Sequence, residues 1–143
     1  MAGSTALALI VLLAATPASA PKPGDARAEL LGRWRGVSLC VKEPWNSACN
    51  DEQVLYDFRR TPGQAAHVTL DAYKYVNGEP ALMGTMDFTR APEAHTWHSF
   101  FSNARVRIRW VFEARGDSLI GRCEDLKQGR VGRHASASRV RTP

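Results

Sequence analysis

The chain lacks most of the features that announce chemistry. It holds three cysteines and no C-x-x-C, so the usual zinc spacings are missing. No G-x-S-x-G occurs, which removes the strained serine elbow of the α/β hydrolases. No window repeats apolar residues every 3.6 positions, which argues against a helical domain. Internal repeats and low-complexity runs are absent. After one N-terminal apolar stretch, no second run reaches the roughly 20 residues a membrane helix needs.

That stretch is Ala6 to Ala15, followed by Thr16-Pro17 and Ala18-Ser19-Ala20. An apolar core before a small-x-small site predicts a secretory signal removed after Ala20. The expected organisation is a signal at 1–20, a proline-bearing lead-in at 21–31 and a single domain at 32–143. The remainder is one domain's worth of chain. We expect it to be soluble, exported to the periplasm or the exterior, not membrane-spanning, and monomeric.

Export puts Cys40, Cys49 and Cys123 in an oxidising compartment. Three single pairings are open. Cys40–Cys49 closes the shortest loop, around Pro44 and Asn46, and is favoured; it would contribute roughly 2.5 kcal/mol. Cys123 is then left over, buried as a small apolar residue. The net charge of +5 rests mainly on arginine. It inclines the surface weakly toward acidic partners, and an ordinary solvated surface is the favoured explanation.

Taken in order, the mature chain reads as about eight short strands. Gly32–Val41 opens the series after a helical turn at 28–31. In Gln53–Arg59, Val54, Tyr56 and Phe58 alternate with polar positions, the mark of a half-buried strand. His67–Val76 and Ala81–Thr89 flank Asn77-Gly78, whose tolerance of positive φ suits a tight hairpin. In the second of these, Leu82, Gly84, Met86 and Phe88 share a face. His95–Phe101 is aromatic-rich. In Arg105–Glu113 the arginines alternate with Val106, Ile108, Trp110 and Phe112. Ser118–Cys123 and Arg130–Arg141 complete the set, with Arg115-Gly116-Asp117 as a turn between strands. Short connections make consecutive strands antiparallel neighbours. The fold class is therefore all-β: an antiparallel up-and-down barrel, whose closure removes exposed edges.

Candidate chemistry is sparse. Asp51 and Glu52 are adjacent, so in a strand they face opposite ways and make a poor acid/base pair; one of them is free to order the cysteine loop. His95 and His98 also fall on opposite faces of a strand, and no metal site or cofactor is expected. Arg105, Arg107, Arg109 and Arg122 form a basic stripe on an outer face. The aromatics lie on the other face, so pairing with Glu113 and Glu124 is favoured over nucleic-acid binding. No catalytic constellation assembles, and we expect no enzyme activity.

Gly32-x-Trp34 at the first strand, the eight-strand meander and Arg139 in the last strand resemble the lipocalin and fatty-acid-binding group of barrels. The resemblance implies that Trp34 closes one barrel end with Arg139 packed over it, and that the lumen accepts a small apolar ligand. The run Gly32-x-Trp34-x-Gly36-x-Ser38-x-Cys40, then Cys49-Asn50-Asp51-Glu52, Lys74-Tyr75-Val76-Asn77-Gly78 and Met83-Gly84, is similar to small exported bacterial proteins of unassigned function. Gly-x-Trp with a single disulfide also resembles a small exported barrel inhibitor of metalloproteases, which implies a different role: binding an envelope protein through the loops.

The lumen candidates are Tyr56, Phe58, Leu70, Met86, Phe88, Ile108, Trp110 and Phe112. An eight-strand barrel is just wide enough to be filled by such side chains or to hold one small ligand. Gly84 and Gly121 mark places where space is expected. Trp34, Ser38 and Cys40 share one face of the first strand while Val37, Leu39 and Val41 share the other. A bulge at Gly36 is the expected device for switching between them.

Overall fold

A computed structural model describes residues 24–142. The expected signal and its cleavage site lie outside these residues. Eight strands form a closed antiparallel barrel in simple sequence order, β1 pairing with both β2 and β8. They are β1 (Gly32–Cys40), β2 (Glu52–Arg60), β3 (His67–Val76), β4 (Glu79–Arg90), β5 (Thr96–Ser102), β6 (Arg107–Arg115), β7 (Ser118–Asp125) and β8 (Arg130–Arg139). Short 3₁₀ turns at Ala26–Glu29 and Pro44–Asn46 precede β1 and join it to β2. Among the described residues no helix is long and apolar enough to cross a membrane.

The hairpins follow local chemistry. Asn77 and Gly78 take φ of 52° and 81° between β3 and β4, the left-handed pair that matches strand twist. Arg115-Gly116-Asp117 turns β6 into β7.

One barrel end is closed. Trp34 is fully buried and donates its indole N–H to the Leu30 carbonyl at 2.9 Å. The Arg139 guanidinium lies 4.1 Å from the centre of the Trp34 ring. It also donates to the carbonyls of Leu31 at 2.6 Å and Glu29 at 2.8 Å. These bonds satisfy carbonyls that the incoming chain would otherwise bury unpaired. Glu29 in turn accepts from Arg90 Nη1 at 2.7 Å and from Trp97 Nε1 at 3.0 Å, and meets His95 Nδ1 at 2.8 Å. Below the barrel's middle, Phe58, Phe88 and Phe112 pack edge-on or tilted, 5.5–5.9 Å between centres.

Several expectations on strand geometry are corrected. No bulge occurs at Gly36; β1 keeps an unbroken register with β2 and with β8. Its inner face is Trp34, Ser38 and Cys40, while Leu39 is exposed. The glycine serves instead for close approach: a Cβ there would sit 1.9 Å from the Ser136 carbonyl oxygen. The irregularities lie at Met83, between the Ala72↔Gly84 and Tyr73↔Leu82 rungs, and at Gly132, beside Cys123. The first reverses the expected face of Leu82, which is exposed. Val106 precedes β6 and is exposed as well.

The wall is uneven between β4 and β5. Only Thr89↔His98 and Arg90↔Trp97 pair there, although both strands continue toward the open end. Between β5 and β6 the ladder runs from Thr96↔Glu113 to Ser102↔Arg107. The barrel is therefore closed, but its β4/β5 wall carries no ladder toward the mouth.

Candidate functional site

The upper half of the lumen is a cavity of about 450 Å³, opening to solvent. This is within the roughly 300–1,000 Å³ of small-molecule sites. Its two sides differ in chemistry. β3 to β6 supply an apolar side with Leu70, Ala72, Met83, Met86, Phe101, Trp110 and Phe112. Trp110 and Phe112 stack at 5.7 Å with planes 8° apart, giving that side a flat aromatic face. β1, β2 and β8 supply Ser38, Glu52, Tyr56 and Arg133.

Strand parity builds the polar side. Ser38 lies on the Trp34 face of β1, Glu52 on the Val54–Tyr56 side of the β2 alternation, and Arg133 on the face of Ala135 and Arg139. The Arg133 Nη1 donates to Ser38 Oγ at 2.9 Å and to Glu52 Oε2 at 3.2 Å. Its Nη2 donates to the Asn50 carbonyl at 2.8 Å and lies 3.1 Å from Cys49 Sγ. Cys40 and Cys49 form the disulfide, with a Cα separation of 5.9 Å. One guanidinium thus fixes two strands and the covalently closed loop beside the mouth.

Tyr56 is buried. Burial pushes its phenol up to about 12, against the opposing hydrogen bond with Ser38. At neutral pH it is a neutral donor and acceptor. Asp51 points the other way, as its neighbour relation requires. It accepts from the Cys40 N–H and Lys42 Nζ, both at 2.8 Å, and these bonds hold its carboxyl below the usual range. Asp51 is therefore the acid that orders the cysteine loop, and Glu52 the one that turns to the cavity.

The structure separates the lumen candidates by depth. Tyr56, Leu70, Met86, Trp110 and Phe112 line the cavity. Phe58 and Phe88 lie below it, in the packed base. Ile108 faces a different cavity of about 430 Å³, under Trp45 and beside Cys123 and Arg130. Gly84 borders open space in the main cavity, whereas at Gly121 the Phe112 ring fills the space, 2.5 Å from where a Cβ would stand. Ser38, Glu52 and Arg133 escaped the sequence reading as a group. Their signal was parity alone, and β8, which brings Arg133 beside Ser38 and Glu52, is distant from β1 and β2 in sequence.

The cavity can hold a molecule by shape, by apolar contact and by a few directed hydrogen bonds. The described residues include no cluster of three or more His, Cys, Asp or Glu side chains that could hold a metal. Cys123 is free and half-buried; burial pushes its thiol up to about 11, the reverse of an activated nucleophile.

No family model and no curated protein matches the chain. Among solved structures it is similar to a redesigned β-barrel, mFAP1, bound to DFHBI. The TM-score is 0.54 at 13% identity, covering 81% of this chain and 100% of that one. The likeness is one of fold: a closed eight-strand antiparallel barrel.

Proposed function

We propose that this protein is an exported, non-enzymatic barrel that binds a small, mainly apolar molecule with one polar end. The observation that carries the reading is the two-sided cavity of about 450 Å³. The apolar body lies on Leu70, Met86 and the stacked Trp110–Phe112 face. The polar end meets Tyr56, Ser38 and the Arg133–Glu52 pair. Because Arg133 already has Glu52, Ser38 and Asn50 as acceptors, the wall offers a largely neutralised set of donors and acceptors rather than a bare cation. The similar fold of a redesigned barrel bound to DFHBI supports the idea that such an interior accommodates a ligand. The disulfide is consistent with export.

Mass spectrometry of protein purified without detergent, first under native and then under denaturing conditions, tests this reading. It predicts a retained apolar compound released on denaturation. Protein that is empty from several hosts, and that takes up no apolar fluorescent probe, would contradict it.

A further inference from the structure

The gap between β4 and β5 has chemistry of its own. After Thr89↔His98 neither strand bonds the other, so two backbone edges face each other unpaired toward the mouth. Large apolar side chains stand on both sides of this slit: Leu82 and Met83 on β4, Phe100 and Phe101 on β5. Phe100 is 60% exposed and Leu82 58%. Met83 and Phe101 also line the main cavity, so slit and cavity are one opening. Several large exposed apolar side chains around one opening mark an interaction surface.

The charges on its β5 side are basic. Arg105 and Arg107 sit at the turn that follows β5, and neither has a carboxylate partner among the described residues, whereas Arg109 and Arg122 share Glu124. Lys127 adds a third cation across that turn, its Nζ 3.0 Å from the Ala104 carbonyl, and with Arg105 it also borders the cavity under Trp45. The opposing acids on the far lip are Glu79, at the start of β4, and Asp87, exposed farther along the same strand. Exposed aromatic and aliphatic side chains beside unpaired cations form the pattern that seats a protein in the interface of an anionic bilayer.

We propose that the β4/β5 lip docks this protein on anionic lipid membranes, so that the cavity opens sideways against the bilayer. Phe100, Leu82 and Met83 enter the acyl boundary while Arg105, Arg107 and Lys127 face the headgroups. A molecule leaving the bilayer then reaches the cavity between Met83 and Phe101 without crossing bulk water. This goes beyond the binding reading, and docking itself does not require an occupied cavity.

The test is co-sedimentation of the purified protein with vesicles of phosphatidylcholine alone and of phosphatidylcholine mixed with phosphatidylglycerol. The expected result is binding to the mixed vesicles only, falling as salt rises. Removing both charges with R105A/R107A should weaken it about thirtyfold. F100S and L82S should each weaken it several-fold while leaving uptake of an apolar fluorescent probe in solution unchanged. Probe uptake without vesicle binding would overturn the docking and leave the binding reading standing; vesicle binding without probe uptake would do the reverse. Vesicle binding that ignores phosphatidylglycerol, or wild-type binding by all three variants, would overturn the proposal. So would finding that the open edges pair two copies of the chain into a dimer that F100S dissolves.

Discussion

Arg133 Nη1 stands 3.2 Å from Glu52 Oε2 on the inner wall of the barrel mouth. Both side chains are largely buried, at 17% and 20% exposure. Truncating Arg133 leaves Glu52 in a partly dry site with only the longer contact to Lys74 Nζ, at 3.9 Å. Arg133→Met should therefore cost about 3 kcal/mol in denaturant unfolding, since it also removes the bonds to Ser38 and Asn50. Adding Glu52→Gln should recover part of that loss. Additive costs would show that the two residues do not act as a pair.

At Gly36 the β1 backbone approaches β8 too closely for any side chain. Gly36→Ala would place a Cβ 1.9 Å from the Ser136 oxygen and 2.6 Å from the Ala137 Cα. We expect a loss of about 3 kcal/mol or more. Gly84→Ala, with nothing within 4 Å, should instead be neutral or stabilise by about 0.5 kcal/mol. Comparing the two melting curves checks the sign of each.

The closed end should carry an acid-sensitive contribution through Glu29. Burial disfavours its charge, but bonds from His95 and Trp97 and the Arg90 charge outweigh this and hold the carboxyl below its ordinary 4.5. A lowered folded value means stability that is present above about pH 4.5 and is lost as pH falls through the folded value. Thermal unfolding of the native protein and of Glu29→Gln, followed from neutral pH downward, reads this directly. The stability gap should be full above pH 4.5 and shrink below it. A gap that is constant in pH would remove Glu29 as the source.

Cys123 should be a slow thiol. With its value raised to about 11 from an ordinary 9.0, its thiolate fraction at pH 8 falls roughly a hundredfold. Alkylation by iodoacetamide at pH 8 should be at least that much slower in the folded protein than in denaturant. Comparable rates in the two states would contradict the burial.

Much of the barrel is legible in the chain because period-2 alternation and short turns leave few other ways to pair eight strands. The Cys40–Cys49 link is legible because the two residues close the smallest loop. What alternation cannot convey is depth along the barrel axis. Tyr56 and Phe58 share a face, yet one lines the cavity and the other packs beneath it. Ile108 has the same parity as Trp110 but lies one step nearer the mouth, in another cavity. A bulge is equally silent: Leu82 continues the alternation of Gly84, Met86 and Phe88, but the extra residue at Met83 turns it outward. The β4/β5 gap depends on how two good strands diverge in space, and neither strand's sequence records it. The arginine stripe divides for a similar reason. Arg109 and Arg122 reach Glu124, while Arg105 and Arg107 lie beyond it toward the turn.

The central claim is that the upper lumen is a ligand site. Gly84 is the place to challenge it, because its inner side borders open cavity and its backbone leaves room for a side chain. The measurement is titration of an apolar fluorescent probe into the native protein and into Gly84→Phe, following the probe's own emission. The account predicts saturable uptake by the native protein. It predicts uptake at least about tenfold weaker in the variant, as the cavity is filled while the barrel stays folded. Equal uptake by both, with an unchanged circular dichroism spectrum, would contradict it.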